Sequence, residues 1–331
     1  MSSLHRLSEN VALLLDNQRQ PNGVLELAYW QGILRELQAQ LTAPEWSSLT
    51  FYLVFSSSDQ LAQHLQPSQR PGVTNVLLIS DEHQRLKPAL YAEGNLIFQA
   101  YHDDARFAGL YDGLFALPLG YNGQMELANT IAFADRTNNV FFSGNLHRGR
   151  RDIFNSYSYL RHLPFPLQHR LQKLIGSNYD HRYPASYIRF TGGFAQGLQP
   201  AEYARFIGNS KIVLTPRGSV SAECFRHYEA LKCGCIVVSE PLPANHFFNN
   251  SPIIQVKNWR EGDRLIKQLL ADPARMLALH HASLRWWEEH LAEPAVARYM
   301  AARIRPALRA SFQARAQAPT LTQAPTPTLV P

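Results

Sequence analysis

Arg226 and Glu229 stand three residues apart in the stretch SAECFRHYEALKCGC, a spacing that puts a cation and a carboxylate on one helix face. Aimed at a ligand, the guanidinium suits phosphate and the carboxylate suits ribose hydroxyls, the two halves of a nucleoside diphosphate. The alternative is a surface i,i+3 pair worth about 0.2–0.5 kcal/mol. Thr215-Pro216-Arg217-Gly218 precedes them, closing the apolar run that begins at Lys211. Strand, glycine loop and helix in that order present free N–H groups and a positive dipole end to an anion. Gly218 lets the backbone come close to a bound group, and Arg217 can grip two phosphate oxygens at once. Ser221 is placed to cap a helix over residues 221–232, and Gly234 to end it.

These residues need a frame. Residues 211–215 and 235–239 read as strands on either side of that helix, and 140–143 and 187–191 as two more. In the first half, residues 49–55, 75–80, 95–100 and 114–117 read as strands. Helices are expected over residues 30–41 and 59–65, and a short amphipathic one over 4–15. Strands alternating with helices argue for parallel sheets covered on both faces, whose ligands bind beyond the C-terminal strand ends. After Pro273 the chain reads as helix to about residue 312, and residues 313–331, rich in Ala, Pro, Thr and Gln, as a disordered tail. The domains expected are therefore residues 1–125 and 126–312, followed by that tail.

Ser210, Lys211, Pro216, Arg217, Gly218, Phe225, Arg226, Glu229, Ala230, Leu231, Gly234, Cys235 and Val237 keep the order and spacing of a known pattern. The segment resembles the nucleotide-binding region of the exostosin-like glycosyltransferases (family 47). One departure is Ile236-Val237, where that family often carries a proline that shapes the chain. Val140 to Asn145, followed by Arg148, Arg150 and Arg151, is similar to the first strand and loop of the same domain, with Gly144 and Arg148 as further donor contacts. The resemblance implies a GT-B fold: two Rossmann-like domains facing a cleft, with C-terminal helices that cross back to the N-terminal domain. It implies an inverting transfer of a sugar from a nucleotide-diphosphate donor, a UDP-sugar by preference, to a glycan or lipid-linked acceptor. The nearest rival is a fucosyltransferase-like GT-B enzyme using a guanosine donor, which the sequence does not separate. Surface polysaccharide synthesis is the setting that follows.

Inverting transfer is one in-line displacement, helped by a base on the acceptor hydroxyl. Asp81 and Glu82 directly follow the strand that ends at Ile79 and are the first candidates. A turn or cap role for Asp81 is the alternative. Residues 101–104, Tyr-His-Asp-Asp, come second, and residues 118–121 are placed to shape the acceptor cleft. The chain has no Asp-x-Asp pair, so the expectation is donor binding without a metal and without a cofactor.

Of the 331 residues 45% are hydrophobic and 18% charged, a globular composition. The net charge of +6 favours an anionic partner. No nucleic-acid signature accompanies it, so a basic nucleic-acid-binding protein ranks behind a sugar-nucleotide-binding protein without turnover, and both behind the transferase. The three cysteines, Cys224, Cys233 and Cys235, fit free thiols. With no signal-like start or long apolar run, the expectation is a cytoplasmic protein. Arg298, Arg303, Arg305, Arg309 and Arg315 allow peripheral contact with the inner face of a membrane.

Overall fold

The computed structural model describes residues 2–16, 23–55, 74–83, 95–127, 131–175, 178–193 and 196–317. A hairpin of β1 (Ser2–Arg6) and β2 (Val11–Asp16) opens the first sheet. Strands β3 (Leu49–Phe55), β4 (Thr74–Ile79), β5 (Asn95–Gln99) and β6 (Leu114–Ala116) then add in parallel, in chain order. The hairpin corrects the helix expected over residues 4–15. Val11 to Leu15 is a continuous apolar run, and such a run fits a strand buried on both faces as well as a helix. Leu13, Leu14 and Leu15 are indeed fully buried, and Leu7 and Ser8 both donate their N–H groups to Val11 O to close the turn. The helix expected over residues 59–65 lies outside the described residues.

Helix α1 (Leu27–Gln40) covers this sheet with Tyr29, Trp30, Ile33, Leu34 and Leu37, the stripe of a helix with one buried face. The indole of Trp30 stacks on Phe55 and donates to Pro118 O at 3.2 Å, tying the helix to the segment after β6.

The second sheet is parallel throughout. It contains β7 (Asn138–Asn145), β8 (Tyr187–Thr191), β9 (Ser210–Thr215), β10 (Ile236–Ser239) and β11 (Ile254–Gln255), in the spatial order β11-β10-β9-β7-β8. The chain runs outward from β7 to β8 and then returns to the other side of β7 at β9. The strand order therefore reverses between β7 and β9, the switch point at which open α/β sheets hold their ligands. Arg136 locks the opposite end of the sheet: its guanidinium is buried and donates to Ser210 O at 2.8 Å and Cys233 O at 2.6 Å.

After α2 (Phe225–Lys232), Gly234 takes φ +65° and starts the tight turn into β10. Helix α3 (Pro273–Trp286) ends in a π-helical turn, Trp287–Leu291, and α4 (Glu293–Gln317) follows. Helix α4 returns to the first lobe and packs along α1. Tyr29 Oη donates to Leu291 O, Tyr121 Oη to Glu293 Oε1 at 2.7 Å, and Arg305 to Gln40 O at 2.8 Å. Two α/β lobes, a cleft between them and a C-terminal helix crossing back make up the GT-B architecture expected from the sequence. Helix α4 runs to Gln317, so residues 313–317 are helical, a correction to the tail; residues 318–331 lie outside the described residues. The C-terminal arginines are partly spent inside the fold, with Arg305 on Gln40 and Arg303 3.3 Å from the Tyr299 ring centroid. Among the described residues no helix is long and apolar enough to cross a membrane.

Candidate functional site

A cavity of about 370 Å³ opens at the switch point of the second sheet. Its floor is the C-terminal end of β7, Ser143 to Asn145, one wall is the start of α2, and Leu25, Asn122, Gln124 and Met125 close it from the first lobe. A volume of this size suits a small-molecule site.

Two buried arginines define its chemistry. Arg226, on the first turn of α2, donates to Ser143 O at 2.7 Å and Tyr203 Oη at 3.0 Å, and its guanidinium lies over the Phe142 ring. Its Nη1 is buried with no hydrogen-bond partner. Arg150 comes from the loop after β7, donating to Asn145 O and Oδ1 through Nη1 and to Arg217 O through Nε. Burial, with the charge of Arg226 beside it, brings Arg150 down to about 10. Neither guanidinium forms a salt bridge with a carboxylate among the described residues. Two desolvated cations and one unpartnered donor in a cavity call for an anion, because unpaired buried charge is costly.

Glu229 provides the opposite polarity one turn further along α2. It is 2% exposed, lines the same cavity and accepts the Asn122 N–H at 3.4 Å. Burial raises its carboxyl to about 7, against the opposing pull of Arg226. Arg226 and Glu229 are thus buried on one cavity wall rather than forming a solvated surface pair.

The remaining donor-site candidates divide. Gly144 lies in the floor, where a Cβ would meet Arg150 Nη1 at 2.9 Å and Arg226 Nη2 at 3.0 Å. Arg148 is exposed and is not part of the cavity lining, whereas Arg150, two residues on, is buried in it. Arg217 is directed to its own loop, donating to Val220 O at 2.7 Å. Gly218 is tight against that loop and against Glu82 Oε1, 3.1 Å from where its Cβ would stand. Ser221 does not cap the helix. Its Oγ accepts the Glu223 N–H in a local turn, and α2 begins at Phe225 with Cys224 as its cap, which corrects the start expected at residue 221.

Asp81 and Glu82 follow β4 as expected, outside the cavity lining. Asp81 is buried and its carboxylate accepts the His83 N–H at 2.9 Å, the turn geometry weighed as the alternative. Glu82 reaches across the cleft, and its Oε1 accepts Val220 N–H at 2.8 Å and Ser221 N–H at 3.2 Å. Residues 101–104 also join the lobes: Asp104 N–H donates to Ala244 O, and Asn245 Nδ2 to His102 O, both at 2.8 Å. Leu119 N–H meets Glu223 Oε1 at 3.4 Å in the segment expected to shape the cleft.

Arg150, Cys224 and Tyr203 are cavity residues that pattern reading did not single out. The Arg148, Arg150, Arg151 cluster was the available signal for the first, but coil spacing does not say which arginine turns inward. Among the described residues no group of three or more His, Cys, Asp or Glu side chains is placed to hold a metal ion.

Residues 161–302 match a family described as glycosyl transferase-like, a span that contains Cys224, Arg226 and Glu229 but not Gly144 or Arg150. The C-terminal lobe is thus similar to glycosyltransferases in sequence. Among solved structures, the chain is similar to the GtfA/B complex, with 11% identity and a TM-score of 0.43, over 85% of this chain and 60% of that one. It is also similar to a glycosyltransferase from Rickettsia africae ESF-5, with 10% identity and a TM-score of 0.45, over 92% of this chain and 84% of that one. No curated protein matches the chain.

Proposed function

We propose that this chain is a glycosyltransferase that moves a sugar from a nucleoside-diphosphate donor to the hydroxyl of a glycan or lipid-linked acceptor. The observation that carries the reading is the pair Arg150 and Arg226, buried together at the switch point and, among the described residues, in no salt bridge with a carboxylate, with the buried Glu229 one turn along the same wall. The guanidiniums take the diphosphate and stabilise it as it leaves, and Glu229 accepts hydrogen bonds from ribose hydroxyls. The glycosyl transferase-like match over residues 161–302 supports the same class. The exostosin-like pattern of residues 210–237 favours the inverting course and a uridine donor.

In that course the acceptor oxygen attacks the anomeric carbon, the carbon–oxygen bond to the diphosphate breaks, and the acceptor proton passes to a base. Asp81 and Glu82 stand at the right strand end for that role. The Glu82 carboxylate already holds two amides of the loop at residues 220–221, so we assign it the coupling of the lobes, and Asp81 the turn that aims it. The arginines supply the positive charge that a diphosphate needs on leaving.

A thermal-shift panel with UDP, GDP, CMP, dTDP and ADP tests the reading, followed by release of the diphosphate from the matching sugar nucleotide. A ligand at 100 times its dissociation constant stabilises by about 2.7 kcal/mol, an easily resolved shift. One nucleoside diphosphate is expected to raise Tm in wild type and to do so far less in Arg226→Lys, which keeps the charge but loses the fork. If no nucleotide raises Tm, the reading fails.

A further inference from the structure

Cys224 caps α2 and lines the same cavity, and its surroundings are those of a reactive thiol. The ring of His227, three residues on, is held at both nitrogens. Ser239 Oγ donates to Thr215 O at 3.2 Å, which leaves it to accept from His227 Nε2–H at 2.8 Å. Nδ1 is then unprotonated: it takes the Cys224 N–H at 3.2 Å and faces Cys224 Sγ at 3.4 Å. A free ring nitrogen opposite a thiol, oriented by a third group, is the arrangement that removes the thiol proton. Once on the ring, that proton has the Cys224 carbonyl, 3.1 Å from Nδ1, as a second acceptor.

The thiolate is stabilised as well. Cys224 holds the N-cap position of α2, at the positive end of the helix. Burial pushes this thiol up, but His227 by charge and hydrogen bond, then Arg226 and Arg150, bring it down to about 6. Cys233 and Cys235 are fully buried and both are pushed up. An independent feature marks the same space as a ligand site: Arg226 Nη1, buried and unpartnered, belongs to a side chain of the same cavity wall.

We propose that Cys224 is a covalent-modification site inside the cavity, open to peroxides, and that its oxidation blocks ligand entry. The thiolate pair attacks one peroxide oxygen, the O–O bond breaks, and a sulfenic acid forms as the sulfur loses two electrons. The departing hydroxide takes the proton parked on His227 and leaves as water. Two equivalents of an added thiol reverse the step, giving back the cysteine, a disulfide of the reductant and water. That the ligand is a nucleoside diphosphate rests on the reading above; the reactivity of the thiol does not.

The test is alkylation of the native full chain by iodoacetamide between pH 5 and 9.5, with peptide mapping. One label on Cys224 is expected, with a rate half-maximal near pH 6 and flat above pH 7.5, while Cys233 and Cys235 stay unlabelled. Inorganic pyrophosphate at ten times its dissociation constant is expected to slow labelling about tenfold. Peroxide is expected to abolish pyrophosphate binding in proportion to Cys224 oxidised, and dithiothreitol to restore it. A rate that climbs through pH 8–9, or no label on Cys224 before unfolding, overturns the proposal. So does modified protein that still binds pyrophosphate. If pyrophosphate protects and no nucleotide does, the nucleotide reading fails and this one stands.

Discussion

Arg150 and Arg226 converge on one glycine from different elements, so that a Cβ on Gly144 would stand 2.9 Å from the first guanidinium and 3.0 Å from the second. Both contacts are with side-chain ends rather than backbone, held by hydrogen bonds to Asn145 and Ser143, so an added methyl displaces the guanidiniums before it disturbs the strand. Gly144→Ala is therefore expected to keep Tm within a few degrees and to weaken nucleoside diphosphate binding at least about tenfold, or about 1.4 kcal/mol. Titration calorimetry on the folded variant measures this. Unchanged affinity would remove the paired-arginine site.

Glu229 gives binding a pH dependence. Its carboxyl holds a proton up to about pH 7 in the empty protein, and only the ionised form accepts from two ribose hydroxyls. Binding then releases that proton, so the dissociation constant rises as pH falls below 7, by up to about tenfold per unit. Arg226, Cys224, Tyr203 and the Asn122 N–H are the groups that act on this carboxyl. Glu229→Gln is expected to bind more weakly at pH 8 and to lose this component of the slope. A mutant slope equal to wild type would clear Glu229 of the role.

Arg136→Ala leaves Cys233 O buried without its donor and Ser210 O with only the weak Cys235 thiol, and a buried orphan costs about 1–3 kcal/mol. A loss of several kcal/mol in urea unfolding is expected, since the residue clamps the ends of β9 and β10 far from the cavity. A change below about 1 kcal/mol would show that water replaces the guanidinium.

Glu82→Gln keeps the shape but exchanges a charged acceptor for a neutral one at two loop amides. The amides belong to the second lobe and the carboxylate to the first, so the expected effect is on KM for the donor, about three- to tenfold, with little change in Tm. A fall in kcat by several orders of magnitude with KM unchanged would instead make Glu82 the proton acceptor.

Much of this is legible in the sequence. The central strands of the second sheet follow from continuous apolar runs of strand length, and the shared face of Arg226 and Glu229 from their spacing of three. What stayed hidden depended on chain reversals. Val11 to Leu15 gave no periodicity because both of its faces are covered. Arg148 and Arg150 differ by a single 3-10 turn, Arg148–Arg150, which no pattern of residue types encodes. Ser221 has the chemistry of a cap, but the loop spends it locally and Cys224, a residue rarely counted as a cap, does the work.

The π-helical turn at Trp287–Leu291 has a use beyond turning the chain. Trp286 donates its indole N–H to Phe247 O in the second lobe, whereas the next ring, Trp287, lies 6.3 Å from Tyr29 and 6.0 Å from Tyr121 of the first. Two neighbouring fluorophores thus differ in their partners across a single peptide bond, Trp286 held by the second lobe and Trp287 lying between Tyr29 and Tyr121 of the first and Lys232 of the second. Any swivel of one body against the other must shear that dipeptide, changing the polarity around one indole and the tyrosine-to-tryptophan energy transfer at the other. With Trp30, Trp46 and Trp259 replaced, the remaining pair reads such a swivel in emission without a label.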